Sequence, residues 1–444
     1  MSTAGKNTRI GVFDHTGASL GGGTLVAAHL ASLLSKDYTV DLIRDWSGFS
    51  RDQVSNAFSL NLDEVNVRNC EAIWDSFDVP GRFSLARQLR RSRALTAEYD
   101  LFICAGHWVP PFCKARHGLI YCHFPIGFPG TRELESDGRW ANRTRFDRWM
   151  RIQGYQLEWR ARMNGYDRFL SNSSFTASWM KRRWGVRAEV LYPPVELDVP
   201  QVEKQNRIIS IGRFFGKEPR SKGHRAQIEA FREFLARVPE SWELWMIGSS
   251  LSDEDRAYLL SLEGAAGSLP VRFLVNVDRR AILEALAGAK LFWHTAGLSE
   301  NKDEDPAFAE HFGMATVEAM RAGCVPVVVN SGGQSEIIEN AVSGFLCRDI
   351  AELIGNTVTV TENSPLCSSM AAEARRRSMD FSGQVFDRKI LEIVSRTLSQ
   401  GPKRWHRRGT LSFVPPTSKA PPHASSSGES WGRDKVRLGV GQGD

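Results

Sequence analysis

Cysteine is scarce in this 444-residue chain and carries no pairing pattern. There are seven, Cys70, Cys104, Cys113, Cys122, Cys324, Cys347 and Cys367, an odd number without a Cys-x-x-Cys. Most lie in apolar runs such as Leu101–Cys104. That excludes a disulfide framework or a zinc site and points to reduced, buried thiols. Long hydrophobic runs are missing too. None reaches about 18 residues, so no membrane span is expected. The polar stretch Met1–Asn7 leaves no room for a signal peptide before strand-like residues begin at Arg9. The cytoplasm is the expected compartment. No repeat with a period of about 20–50 residues is visible.

What is present is an ordinary globular balance, 42% apolar and 24% charged. Collagen-like, coiled-coil and wholly disordered readings are excluded. The length predicts about two to four domains. The net charge of +6 is uneven. Residues 1–200 carry 26 basic and 21 acidic side chains, residues 201–400 carry 23 and 27, and residues 401–444 carry 8 and 3. The charge is therefore not one property of the molecule, and it makes no uniform nucleic-acid surface.

The chain alternates between short apolar strands and helical periodicity. Arg9–Phe13 reads as a strand, Asp14–Gly23 as a turn-rich loop ending in Gly21-Gly22-Gly23, and Thr24–Ser35 as a helix. Further strands are predicted at Thr39–Ile43, Leu101–Cys104 and Leu119–Cys122, and a helix N-cap at Ser171–Ser174. The proline-stiffened Leu191–Val195 leads into a polar linker, after which a second alternation starts at Ile208–Ile211. Strands at 243–247, 271–274, 291–294 and 325–329 alternate with helices at 224–238, 281–286, 315–321 and 334–340. Such alternation predicts parallel, helix-covered sheets in an α/β fold, with ligands at the carboxyl ends of the strands. Two doubly wound halves place the site in the cleft between them. The expected division is an N-terminal domain over 1–197, a linker at 198–206, a C-terminal domain over 207–385, a final helix at 386–400 packing back on the first domain, and a disordered basic tail over 401–444. The tail holds five prolines and seven glycines and has few core-forming residues.

The residues with chemical promise cluster in the second half. Glu310-His-Phe-Gly-Met-Ala-Thr-Val-Glu318 places two carboxylates with seven residues between them, Gly313 included, at the entry to a helix. A helix start gathers free N–H groups that suit an anion. A carboxylate beside it can accept hydrogen bonds from sugar or ribose hydroxyls, although an isolated pair of this kind is equally a solvated helix face. The apolar strand Val325–Val329 then runs into Ser331-Gly332-Gly333-Gln334-Ser335-Glu336. Upstream, Gly212-Arg213 closes a strand and Ser221-Lys222-Gly223 follows a Gly/Pro-containing loop. A guanidinium and an ammonium at a strand end can neutralise a diphosphate and its developing leaving-group charge. His123 ends the predicted strand of Tyr121–Pro125, and His294 ends another. The glycine run is not G-x-G-x-x-G, so a dinucleotide fingerprint is not supported. No Asp-x-Asp reads as a Mg²⁺ site.

In this order and spacing the segment His311–Phe345 resembles the nucleotide-sugar half of the retaining glycosyltransferases of family 4, which have the GT-B fold. The likeness extends over roughly 9–400, is strongest over 206–346, and is most similar to mannosyltransferase-like members. It implies transfer of a sugar from a nucleotide-diphosphate donor to an acceptor hydroxyl of a glycan, a lipid-linked glycan or a small molecule, with retention of configuration and without a metal or a tightly bound cofactor. By resemblance, Arg213 and Lys222 grip the diphosphate, Glu310 holds the sugar hydroxyls and supports charge on the ring, Glu318 holds the ribose, and His123 faces the sugar. Gly22 and Gly23 approach the phosphate or acceptor, while Gly313, Gly332 and Gly333 let backbone N–H groups approach the donor. Base contacts are expected near Val275–Asp278. The alternatives are an inactive GT-B scaffold that binds nucleotide sugar and a GT-B phosphorylase using phosphate and pyridoxal phosphate.

Two departures from the family pattern stand out. His294-Thr295-Ala296-Gly297 replaces a common Pro-Ser pair, and the acidic insert Ser299–Pro306 precedes Glu310. Basic clusters at Arg87, Arg90, Arg91 and Arg93, and from Arg139 to Arg162 interleaved with Trp140, Trp149 and Trp159, give the first half a surface suited to an anionic membrane and a lipid-linked acceptor. Peripheral contact at the inner membrane face is the corresponding expectation, with an ordinary solvated helix as the other reading.

Overall fold

The structure is a computed structural model describing residues 6–16, 20–44, 50–70, 82–107, 109–126, 145–200, 202–215, 222–298, 306 and 309–401. The tail beyond Gly401, nearly all of the insert 299–306, and Arg139, Trp140 and Arg143 of the basic cluster lie outside them. Two compact units are distinguished, Met1–Phe128 with Ala161–Leu411 and Pro129–Arg160 with Ser412–Asp444. Both sheets belong to the first.

The first sheet holds seven strands: β1 Arg9–His15, β2 Thr39–Arg44, β3 Val65–Asn69, β4 Leu101–Gly106, β5 His117–Cys122, β6 Arg168–Ser171 and β7 Glu189–Val190. Their order is β3-β2-β1-β4-β5-β6-β7. The second holds β8 Gln205–Ile211, β9 Glu243–Gly248, β10 Val271–Val275, β11 Ala289–His294, β12 Val325–Val329 and β13 Phe345–Cys347, in the order β10-β9-β8-β11-β12-β13. Every pairing within these sheets is parallel. In each sheet the order reverses direction beside the first strand, which opens a crevice at the carboxyl ends there.

The strands are apolar on both faces because helices cover both. In the second sheet, Ile208, Leu291, Trp293, Val325 and Val327 join the core on one side. Ile209, Phe292 and Val328, the intervening residues, join the core on the other. This period-two split is what a sheet buried on both faces requires. The first sheet's core contains Ile10, Val12, Leu101 and Ile103 together with Phe386, Ile390, Ile393 and Val394. Those last four come from the helix Gly383–Leu398, which brings the chain back to the half where it began.

Helix starts follow local chemistry. Ser50 with Gln53 and Ser252 with Asp255 form capping boxes, and Ser173, Asp278 and Asp349 cap their helices by accepting backbone N–H bonds. The strand β8 begins at Gln205, inside the stretch expected as linker. Among the described residues no helix is long and apolar enough to cross a membrane.

Candidate functional site

Seven loops meet at the carboxyl ends of the strands. From the first sheet come the loop after β1, His107 after β4, His123 after β5 and Ser173 after β6; from the second come Arg213 after β8, Thr295 after β11 and Ser331–Gly333 after β12. The loop preceding the helix Met314–Arg321 brings in Glu310.

Glu310 is the electrostatic centre. Its Oε2 lies 2.9 Å from Lys222 Nζ and 3.1 Å from His294 Nε2. Burial alone would raise its carboxyl, but the Lys222 ammonium and the His294 ring hold it well below the ordinary carboxylate value. Glu310 is therefore an anion throughout the neutral range. Lys222 is fixed at its backbone too, its carbonyl accepting a 2.8 Å bond from Thr295 Oγ1. Gly212 makes room for it, since a Cβ there would come within 2.8 Å of Lys222 Cγ. The Arg213 guanidinium lies over the Phe215 ring, 4.3 Å from its centroid. Sequence reasoning brought Lys222 and Glu310 to one site with separate partners in view; the structure pairs them with each other.

Glu318 also has a cation. Arg279 Nη2 donates to its Oε1 at 2.7 Å. Arg279 opens the helix Arg279–Gly288, next to the Val275–Asp278 loop. It was not among the expected site residues. The Asp278 cap was a readable sign of a helix start there, but a partner 39 positions away is a tertiary fact.

The glycines divide by role. Gly313 has φ +117°, a conformation closed to most side chains, and starts the helix Met314–Arg321. Gly332 has φ +62°, and a Cβ on it would overlap the Glu310 carbonyl oxygen. Gly333 donates its N–H to that carbonyl at 2.7 Å. The space freed by Gly332 and Gly333 is thus occupied by the Glu310–Phe312 backbone, which fixes the carboxylate in place. Gly22 faces Met314, where a Cβ would be 2.7 Å from Sδ. A Cβ on Gly23 would be 2.5 Å from Thr16 Cγ2 and 3.2 Å from His123 Nε2. The glycine loop of the first half therefore borders both His123 and the start of the second half's helix.

The two halves also touch directly. The His311 ring stacks on Phe124, with centroids 4.0 Å apart and planes within 4°. Ser173 Oγ donates to the His311 carbonyl at 2.6 Å. Glu336 accepts the N–H groups of Ser174 and Phe175 at 2.7 and 2.8 Å and the Tyr192 hydroxyl at 3.1 Å. His123 is buried, and burial, then the neighbouring His107 and His311, push its pKa well below the usual histidine value. Among the described residues, no group of three or more His, Cys, Asp and Glu side chains is placed to hold a metal ion.

Of the basic surface, Arg87, Arg90 and Arg93 are exposed. Arg162 is not part of it. Its guanidinium is buried over the Phe112 ring at 4.0 Å and donates to the Pro110 carbonyl at 2.9 Å. Its place in the helical periodicity points it inward.

Residues 198–377 match the family described as Glycosyl transferases group 1. The chain is 28% identical over 255 residues to the human GDP-Man:Man(3)GlcNAc(2)-PP-Dol alpha-1,2-mannosyltransferase, covering 52% of this chain and 48% of that protein. It is 25% identical over 340 residues to the human alpha-1,3/1,6-mannosyltransferase ALG2, covering 68% of this chain and 74% of that one. The chain spans about half the length of the first of these relatives. Among solved structures, Anabaena Alr3699/HepE in complex with UDP and glucose superposes with a TM-score of 0.60 at 18% identity, over 88% of this chain and 100% of that one. The glycosyltransferase WaaG gives 0.57 at 16% identity, over 87% and 99%. The two parallel sheets thus have the GT-B architecture, and the match to glycosyl transferases group 1 falls on residues 198–377.

Proposed function

We propose that this protein transfers a sugar from a nucleotide-diphosphate donor to a hydroxyl of a glycan or lipid-linked glycan, with retention of configuration. The observation that carries the reading is the Lys222–Glu310–His294 cluster, at 2.9 and 3.1 Å, beside Arg213 at the mouth of the group 1 domain. The named relatives are mannosyltransferases, which makes GDP-mannose the first donor to try.

The residues divide the work by charge. Lys222 and Arg213 stabilise the diphosphate as the glycosidic bond breaks, placing fixed positive charge where negative charge develops. Without ligand, Glu310 holds the Lys222 ammonium near that position, so little reorganisation is needed on binding. Glu310 remains ionised, orients sugar hydroxyls and opposes positive charge on the ring. Glu318, aligned by Arg279, takes the ribose hydroxyls. His123 meets the sugar, and the Gly22–Gly23 turn, packed against Met314 and Thr16, offers its backbone to phosphate or acceptor. Two carboxylates on opposite sides of a glycosidic bond would suit hydrolysis. Here both act from one segment on one side of the cleft, which favours transfer. The domain limits we adopt are 1–197, 205–385, since β8 starts at Gln205, and the returning helix, and the exposed Arg87, Arg90 and Arg93 belong to a surface for an anionic membrane.

The test is release of nucleoside diphosphate from GDP-mannose and UDP-glucose, with and without a polyprenyl-linked oligosaccharide acceptor, and NMR of the product anomer. Release from neither donor, or an inverted product, would overturn the reading.

A further inference from the structure

Three imidazoles converge in the cleft from three separate chain segments, His107 after β4, His123 after β5 and His311 beside Glu310. The His107 and His123 rings are 5.0 Å apart, and the His107 and His311 rings 6.4 Å apart. Each carries a buried nitrogen without a hydrogen-bond partner among the described residues: Nδ1 of His107, Nε2 of His123 and Nε2 of His311. A single such atom is an accident of packing. Three in one cluster are a set of polar positions left for something else, because an unmade buried hydrogen bond costs stability.

The surroundings define what that something is. All three rings are held neutral: burial and neighbouring imidazoles depress them, His107 to about 4 and His311 to about 3. They therefore do not form an anion site. A neutral imidazole offers one donor and one acceptor nitrogen, which is the complement of a hydroxyl. For His311 the polarity is fixed. The ring bonds to the backbone of Pro306, which has only a carbonyl, so that nitrogen must donate and Nε2 is left as an acceptor. His311 is also locked by its stack on Phe124. The Gly23 loop borders His123, and the Glu310 carboxylate acts electrostatically on His311, the residue that follows it in the chain.

We propose that His107 and His311, with His123, form a hydroxyl-reading wall for the transferred hexose, and that His107 and His311 select which sugar the site accepts. This rests on the donor reading above and deepens it. The wall reads neutral hydroxyls, while the diphosphate is left to Arg213 and Lys222. Sugar selection is thereby separated from phosphate binding, on residues from both halves of the fold.

The test measures dissociation constants of GDP, UDP, GDP-mannose and UDP-glucose by calorimetry for the wild type, His107→Gln and His311→Asn. The ratio of the Kd of the accepted nucleotide sugar to that of its nucleoside diphosphate should rise about tenfold in each variant. The Kd of the nucleoside diphosphate itself should move less than about twofold. The kcat/KM for that donor should fall in parallel. His107→Ala and His311→Ala, checked for unchanged melting, should lose as much or more. An unchanged ratio in both conservative variants overturns the proposal. So does an unchanged ratio with a raised KM for the acceptor, which would assign the wall to the other substrate. Equal loss of nucleoside diphosphate binding would mark general disruption and overturns it as well. A wild type that binds none of the four ligands would instead overturn the donor reading on which the proposal stands.

Discussion

Replacing Lys222 with alanine should separate the two roles of its ammonium. The pair with Glu310 is 2.9 Å long, and the two side chains are 30% and 18% exposed. At an effective dielectric of about 20, two unit charges at that distance attract by roughly 6 kcal/mol before desolvation. Desolvation and partial solvent access reduce the net value to about 1–2 kcal/mol. For a domain of this size that lowers Tm by about 2–8 °C. The backbone should keep its place, because the carbonyl of residue 222 still accepts from Thr295. The catalytic loss should be larger, about 10²–10³-fold in kcat, as expected when a cation is removed from a developing charge. Scanning fluorimetry and a nucleoside diphosphate release assay measure the two quantities on one sample. Adding Glu310→Ala should recover part of the lost stability but none of the turnover, because the stranded carboxylate is gone and the diphosphate cation is not restored. Loss of stability with kcat changed less than about threefold would refute the reasoning, since Lys222 would then serve only to neutralise Glu310.

Other outcomes follow from the same geometry. Gly332→Ala should cost about 2 kcal/mol or more in urea unfolding, because φ is +62° and a Cβ would overlap the Glu310 carbonyl oxygen. Gly355→Ala, within the helix Ile350–Glu362 and with nothing within 4 Å of its Cβ, should stabilise by about 0.5–1 kcal/mol. Glu336→Ala removes the acceptor of two backbone N–H groups and the Tyr192 hydroxyl, and should lower stability by about 1.5–3 kcal/mol. The pH dependence has a definite sign. Glu310 has a folded pKa below its unfolded one, so its contribution is present above pH of about 4.3 and is lost as pH falls through the folded value. Buried His107 likewise favours the native state above its unfolded value of about 6.5, a contribution that fades as pH drops toward about 4. Melting temperature against pH should therefore fall less steeply between about 6.5 and 4 in His107→Gln than in the wild type, and an unaltered slope would count against neutral burial.

Most of the second half was legible because its strands are continuous apolar runs and its turns are marked by glycine and proline. Val325–Val329 needed no partner to be recognised, and its observed limits are those the pattern predicts. Ser173 was expected near a helix start and caps one. The region from 50 to 100 was less readable. Ser50 and Gln53 spell a capping box that announces the helix Arg51–Phe58. By contrast, β3 is an edge strand with mostly exposed or half-buried residues, so it lacks the apolar run that a buried strand shows.

The sequence by itself determined the fold class, the repetition of strand and helix, and the residue types at the strand ends, because period and turn chemistry are local properties. Through resemblance to a family, it also suggested that Lys222, Glu310 and Glu318 share one site. It did not determine who pairs with whom. Glu310 meets Lys222 across 88 positions, and Glu318 meets Arg279 across 39. His107, His123 and His311 meet only because two sheets present their carboxyl ends to one cleft. Ion pairing, burial and the neutral state of those imidazoles depend on distances through space, and only the tertiary structure sets those distances.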